Sequence, residues 1–139
     1  AGTAGLLHEI GALILAGHAT ERYTEALALS NEHRLPLWGA EQQVFGNTHA
    51  EVGGYLLGLW GLSAPIVAAV AYHHAPSRHV ESGFCPLTAV HVADHLQREF
   101  ASSEPAQLDM AYLARIGLTE RVPAWREAAA AWHKEQRYE

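Results

Sequence analysis

Cysteine, basic residues and long apolar runs are scarce or absent in this chain. It contains one cysteine, Cys85, in 139 residues, which excludes an internal disulfide and favours a reducing compartment such as the cytoplasm. It has no uninterrupted apolar run of the roughly 18 residues that a membrane-spanning helix needs. Nine basic residues against fifteen acidic ones give a net charge of -6, which argues against binding nucleic acid through its phosphates.

What is present is typical of a globular domain. Hydrophobic residues make up 49% of the chain and charged residues only 17%, and the length suits one domain. The sequence starts Ala1-Gly2-Thr3, without Met and without the basic region of a signal peptide. We therefore expect it to come from a longer protein.

Apolar residues recur at helical spacing along nearly the whole chain, and no alternating strand pattern occurs. Thr20, and Thr48 with Glu51, read as helix starts. The predicted fold class is all-α: a compact multi-helix domain with no sheet, in which Trp38 and Trp60 are core residues. The predicted helices span about 3–17, 20–34, 36–45, 48–60, 63–74, 86–101, 107–116 and 120–137.

A break at Ser102-Ser103-Glu104-Pro105 suggests a division within this domain. We predict a helical core over residues 1–101 and further helices over 102–139 that pack on the same domain. The last helix carries a stripe of apolar residues, Trp125, Ala128, Ala129 and Trp132. This stripe either covers the domain's own core, which we favour slightly, or forms the interface of a homodimer.

Histidines and carboxylates interrupt the apolar faces of four predicted helices. Such groups are costly to bury unless they are paired or bind a metal, so four interruptions suggest one shared polar centre. The structural alternative is that the histidines satisfy one another through hydrogen bonds and water. The candidate metal ligands are His8, Glu9, His49, His73, His74 and Asp94.

Imidazole nitrogens and carboxylate oxygens converging from several helices suit a divalent transition metal. The candidate divalent metals are Fe, Mn, Mg, Zn and Ni. Two metals bridged by a carboxylate would support phosphoester hydrolysis. Arg78 is the one cation close in sequence to the His pair, and it is the candidate for gripping a phosphate.

The order HE…H…HH…D along the chain is similar to that of the HD phosphohydrolase superfamily, whose members have an all-helical core. More specifically, residues 5–97 resemble the HDOD domain, the HD-related output domain. The resemblance rests on LLHEIGALILA, the acidic Glu41 before Phe45-Gly46, THAEVGGYLLGLWGLSAPIVAAVAYHHAPS and AVHVADHL. Because that family normally has another helical half before this point, the chain resembles the C-terminal portion of the domain.

Several positions depart from the catalytic members of the superfamily. The HD dyad reads His8-Glu9, and the lysine that commonly follows is Ala12. The segment after His73-His74 lacks the signature of the HD-GYP phosphodiesterases. These departures favour a degenerate HD core over a competent hydrolase.

The resemblance implies a regulatory output or interaction module of bacterial signal transduction, of the kind that follows receiver modules. Its expected partners are other signalling proteins or an N-terminal receiver or sensor module. We expect no partner among nucleic acids or membranes, and a homodimer is a further alternative. A metal-dependent phosphohydrolase acting on a nucleotide or cyclic dinucleotide is the second hypothesis, and a purely structural helical domain is the third.

Overall fold

The computed structural model describes residues 1–80, 82–101 and 107–136, and within these ranges the protein is helical with no strand. The prediction of an all-α domain without a sheet is therefore confirmed. Two single turns of 3-10 helix lie at Pro76–Arg78 and Thr119–Arg121. The α-helices are α1 (Gly2–Leu7), α2 (Ile10–His18), α3 (Thr20–His33), α4 (Leu37–Phe45), α5 (His49–Leu59), α6 (Ala64–Tyr72), α7 (Pro86–Ala101), α8 (Met110–Arg115) and α9 (Val122–Gln136).

The single helix predicted over 3–17 is wrong, because the chain breaks at His8-Glu9 into α1 and α2. The His8 ring accounts for the break: its Nδ1 donates to the carbonyl of Gly5 at 2.7 Å. Glu9 leaves the helical region, with φ -95° and ψ 4°, and precedes the first residue of α2. The break places both polar side chains at a helix junction, where they can face a common site.

The local sequence signals at the start of α5 are confirmed. The Thr48 side chain accepts from the backbone N–H of Glu51, and the Glu51 carboxylate accepts from the N–H of Thr48, which is a complete capping box. Gly46, at φ +77°, ends α4 in the left-handed region that favours glycine. Thr20 is not the cap of α3, because its hydroxyl donates to the Ala16 carbonyl in the preceding helix.

Helices α2, α5 and α6 pack at the close distance that glycine permits. A Cβ added at Gly11 would lie 1.8 Å from the carbonyl oxygen of His49, and one at Gly54 would lie 2.6 Å from the Cβ of Ala71. Gly53 packs equally tightly, with a Cβ 3.2 Å from the backbone nitrogen of Gly11. The backbones of α2 and α5 therefore touch directly beside His49.

Helix α7 joins this group to the C-terminal helices. Its residues Val92 and Leu96 are buried against α8, and Trp125 and Ala129 of α9 pack on the same cluster. Trp125 and Ala129, which are half of the predicted stripe, therefore cover the domain's own core rather than an interface. Trp132 is 57% exposed and lines, with Trp125, an apolar groove of about 510 Å³ between α7 and α9.

The prediction that Trp60 is a core residue is wrong. Helix α5 ends at Leu59, so Trp60 does not continue its buried stripe and is 61% exposed. It lies near other exposed apolar side chains, including Leu13 and Leu59. Trp38 is half-buried and stacks on the ring of His74, with 5.8 Å between ring centroids.

Two further predictions concern the chain as a whole. The proposed division after residue 101 stays a prediction, and the break on which it rests, at 102–105, lies outside the described residues. Residue 137, the predicted end of the last helix, lies outside them too. In the portions of the chain that are described, no helix combines the length and apolar character required to cross a membrane.

Candidate metal centre

The fold brings all six predicted metal ligands together. His8 and Glu9 lie in the α1–α2 junction, His49 is the first residue of α5, His73-His74 directly follow α6, and Asp94 lies in the middle of α7. They form two overlapping groups, each with ligand atoms within 4.8 Å of one another. The first group is Glu9, His49, His73 and His74, and the second is His8, Glu9 and Asp94.

His49 is held by a carboxylate that the predicted site did not include. Glu41, fully buried on α4, accepts from Nδ1 of His49 at 2.7 Å and from its backbone N–H at 2.8 Å. Because Nδ1 carries the proton, Nε2 presents a lone pair on the opposite side of the ring. This Nε2 lies 3.7 Å from Oε1 of Glu9.

One ring nitrogen of His73, Nε2, accepts no hydrogen bond from the described residues. Its Nδ1 donates to the carbonyl of Val70 at 2.7 Å, which leaves a lone pair on Nε2. That Nε2 is buried and has no hydrogen-bond partner among the described residues. The pKa of His73 is lowered to about 3, because burial strips water from the charged ring. A neutral imidazole with an unused lone pair is the form that binds metal.

His74 completes the nitrogen donors. Its Nε2 lies 2.9 Å from Nε2 of His49, and since the His49 nitrogen carries a lone pair, His74 donates this hydrogen bond. Burial, and then the neighbouring His73, hold the pKa of His74 well below its ordinary value. Metal binding by both Nε2 atoms would require His74 to carry its proton on Nδ1 instead, and that nitrogen lies 3.9 Å from Oδ2 of Asp94.

The second group is already neutralised by the protein's own cations. Arg98 of α7 donates from Nε to Asp94 at 3.1 Å and from Nη2 to Glu9 at 3.3 Å. His8 lies on the other side, with Nε2 3.6 Å from Oδ1 of Asp94. Burial opposes ionisation of Asp94, yet its close contact with His8 and the Arg98 charge hold its pKa below the usual range. The same contact with Asp94 raises the pKa of His8.

Arg78, the predicted phosphate ligand, pairs with another residue. Its Nη1 lies 3.1 Å from Oε1 of Glu51 in the capping box of α5, and its side chain is 63% exposed. Glu51 lies two residues after His49, in the first turn of the same helix. A role for Arg78 in phosphate binding stays a prediction, and a phosphate would have to compete with Glu51.

His91 is a second residue that the predicted site lacks, although it shares a face of α7 with Asp94. It is fully buried, its Nδ1 donates to the carbonyl of His73 at 2.7 Å, and its Nε2 accepts from the N–H of Asp109 at 3.0 Å. Asp109 in turn caps α8 through the N–H of Tyr112. His91 therefore connects the end of α6 to the start of α8, and the bond that its Nε2 accepts from Asp109 requires the neutral ring.

The neutral state of His91 should make stability depend on pH. Burial, and then the neighbouring His95, lower the pKa of His91 to about 4, whereas Asp109 and Asp94 act in the opposite direction. An unfolded histidine titrates near 6.5, so below that pH the unfolded chain binds the proton more readily. We therefore expect the free energy of unfolding to be highest above about pH 6.5 and to fall towards pH 4, by on the order of 3 kcal/mol from this residue.

Urea unfolding at intervals from pH 7.5 to 4.5 measures this slope. His91→Gln, which cannot ionise, should have a shallower slope by up to about 1.4 kcal/mol per pH unit. The other buried histidines, whose pKa values are also lowered, give the remaining slope. Equal slopes in the variant and the parent would contradict this origin.

The side chains of this cluster are suitable ligands for a divalent metal ion. Three buried side-chain atoms lack a hydrogen-bond partner within the described residues, and two of them belong to predicted ligands: Nε2 of His73 and Oδ2 of Asp94. Unpartnered buried polar atoms are rare in folded proteins and call for an explanation such as an ion. Imidazole nitrogen with carboxylate oxygen suits Zn, Mn, Fe or Ni. Glu9, His49, His73 and His74 are the residues that would hold it.

Comparison with known proteins gives one result that bears on this site. The family model described as HDOD domain matches residues 1–76. The match therefore includes the first ligand group and Glu41, whereas Asp94 and Arg98 on α7 lie beyond it. No curated protein and no solved structure matches the chain.

Proposed function

The chain belongs to the HDOD domain family, and from this premise we propose that it is a regulatory interaction module that retains one metal ion and catalyses no hydrolysis. The domain is related to the HD superfamily, whose catalytic members use metal to cleave phosphoesters. The proposal assigns the metal to Glu9, His49, His73 and His74. It assigns the neighbouring His8 and Asp94 to an ion-paired support of that site.

The observation that carries this proposal is the position of Arg98. Its guanidinium lies against both Glu9 and Asp94, at 3.3 and 3.1 Å. In the group of His8, Glu9 and Asp94, both carboxylates already pair with this fixed positive charge, which opposes a second divalent cation there, whereas three of the four residues in the first group are histidines. Two metals are what a bridged hydrolytic centre uses to activate water and stabilise the leaving oxygen. Arg98 therefore favours one metal and no turnover.

The residues of the chain would act on such a site in distinct ways. A bound metal would supply a Lewis acid that lowers the pKa of coordinated water. Glu41 orients His49, His91 anchors the backbone of His73, and Arg98 fixes Asp94. None of these three residues offers a cation for binding phosphate, since Arg98 is paired with Asp94. Position 12, where catalytic relatives carry lysine, is alanine.

A metal-dependent phosphohydrolase acting on a nucleotide or cyclic dinucleotide is the second candidate. It is favoured by the unpartnered Oδ2 of Asp94 and by the two ligand groups that share Glu9. In this candidate Asp94 would bind a second metal and Arg98 would turn away.

The proposed partners are other signalling proteins or a receiver or sensor module N-terminal to this domain, within the cytoplasm. Exposed apolar side chains support an interaction role, since a partner would bury them. Leu13 is 75% exposed, Tyr55 73% and Leu59 67%. A second copy of the chain is the alternative partner.

Elemental mass spectrometry on protein purified without a metal-affinity tag tests the proposal. We expect about one metal ion per chain, lost in His49→Ala, because the first ligand group forms a single centre. Asp94→Asn should keep the metal, since Asp94 lies outside that group. Phosphomonoesters, nucleotides and cyclic dinucleotides should not be hydrolysed above the rate of the metal-free control.

The outcomes separate the candidates. Two metals per chain, both lost in Asp94→Asn, together with hydrolysis that His49→Ala abolishes, would establish the phosphohydrolase and overturn our proposal. No metal in the parent protein after incubation with Zn²⁺, Mn²⁺ or Fe²⁺ would overturn the metal assignment, and would leave an interaction module without metal or a purely structural helical domain.

A further inference from the structure

Glu41 is a buried carboxylate whose position in the fold is hard to explain by stability alone. It is fully buried on α4, and its Oε2 accepts both hydrogen bonds from His49. Its Oε1 has no hydrogen-bond partner within the described residues. A buried charge with one unsatisfied oxygen costs free energy that an apolar residue of similar size would not.

Glu41 contributes one of several hydrogen bonds that cap α5. The backbone N–H of His49 is one of the unpaired donors at the helix start, and Oε2 of Glu41 satisfies it. Thr48 and Glu51 already form a complete capping box at the same end. The additional contribution of Glu41 is its bond to the imidazole, 2.7 Å from Oε2 to Nδ1.

We propose that Glu41 is a positioning residue, which fixes the Nδ1–H tautomer of His49 and strengthens its Nε2 as a metal donor. A carboxylate bonded to the far nitrogen of a ligating histidine fixes the ring and raises its basicity, and its loss typically costs 10–100-fold in metal affinity. The geometry matches this role, because Nε2 of His49 faces Glu9 at 3.7 Å and His74 at 2.9 Å. The inference rests on the proposed metal site but is tested separately from it.

The first test needs no metal. Nitrogen-15 NMR of the metal-free parent protein should show His49 protonated at Nδ1 and not at Nε2, with a strongly downfield Nδ1 proton. In Glu41→Gln this proton should move upfield, because a charge-assisted hydrogen bond becomes a neutral one. Protonation of His49 at Nε2 in the parent would overturn the proposal, whether or not the protein binds metal.

The second test measures affinity by titration with Zn²⁺. Glu41→Gln should bind Zn²⁺ about 10–100-fold more weakly than the parent. The matched control is Glu51→Gln, which changes another carboxylate at the start of α5 without touching the His49 ring. It should lower the melting temperature and leave Zn²⁺ affinity within about twofold.

Equal losses of affinity in the two variants would mean that Glu41 acts only by stabilising α5, and would overturn the proposal. If Glu41→Gln does not fold, the tautomer of the parent protein decides the question. If the parent protein bound no metal but carried the Nδ1–H tautomer, the proposed metal-binding function would be overturned. The role of Glu41 in orienting His49 would still be supported.

Discussion

Gly11→Ala should lower the free energy of unfolding by about 3 kcal/mol or more, because the added methyl group has no space. Its Cβ would lie 1.8 Å from the carbonyl oxygen of His49 and 2.8 Å from the backbone nitrogen of Gly53. Both are backbone atoms of α5, so no side-chain rotation relieves the clash and the two helices must separate. The separation would also move His49 away from Glu9, so metal should be lost with stability.

Chemical denaturation and metal analysis on the same samples measure both effects. Gly17→Ala is the matched control, since Gly17 lies in the same helix and a Cβ there meets nothing within 4 Å. Alanine at that position should be neutral or stabilising by up to about 1 kcal/mol, because it favours helix more than glycine. Similar stability of the two variants would show that α2 and α5 are not in backbone contact.

Arg98→Met should destabilise the metal-free protein by on the order of 3 kcal/mol. The substitution keeps the apolar stem but removes the cation from between Asp94 and Glu9. The Asp94 side chain is only 4% exposed, so it would remain as a buried charge beside histidine rings, without the guanidinium that pairs with it. Because the Arg98 side chain is 20% exposed, we expect a destabilisation at the lower end of the range for breaking a buried ion pair.

The same variant should also change the metal content. With the guanidinium gone, the group of His8, Glu9 and Asp94 loses the fixed charge that opposes a cation. We expect the ratio of metal to chain to rise above one, with part of the lost stability restored by added Mn²⁺ or Zn²⁺.

Arg126→Met provides the comparison for Arg98→Met. Arg126 pairs with Glu99 at 3.3 Å, but both side chains are about half-exposed. An exposed pair contributes roughly 0–1 kcal/mol, so this variant should melt close to the parent and bind the same amount of metal. An Arg98→Met protein that matches Arg126→Met in both respects would contradict the role that we assign to Arg98.

The sequence was sufficient to predict the all-helical fold and the residues that meet in one polar centre. Helical spacing and the capping box at Thr48 report local preferences, and these were confirmed. The break at His8-Glu9 was not predicted. It accompanies a hydrogen bond from the His8 side chain to the Gly5 carbonyl, which does not change the spacing of apolar residues in the sequence. Trp60 was placed wrongly because the spacing of apolar residues continues past the last residue of the helix.

Glu41 and Arg98, which the predicted site lacked, were missed for different reasons. Glu41 is followed by Gln42 and Gln43, so its burial left no signal in the apolar pattern, and nothing there indicates His49 as its partner. Arg98 follows Asp94 by four residues, the spacing of an ordinary pair on one helix. Its second contact, with Glu9, depends on the tertiary packing of α7 against the first helices.

The left-handed turn at Gly46 has a consequence for the order in which the domain assembles. It folds the chain back so that Glu41 meets His49 at a separation of eight residues, whereas Arg98 and Glu9 are separated by 89. Contacts that close short loops form with a smaller loss of chain entropy and therefore earlier in folding. The orientation of the His49 ring should thus be set while the chain is still largely open, and its ion-paired surroundings should form only when the last long-range contacts close.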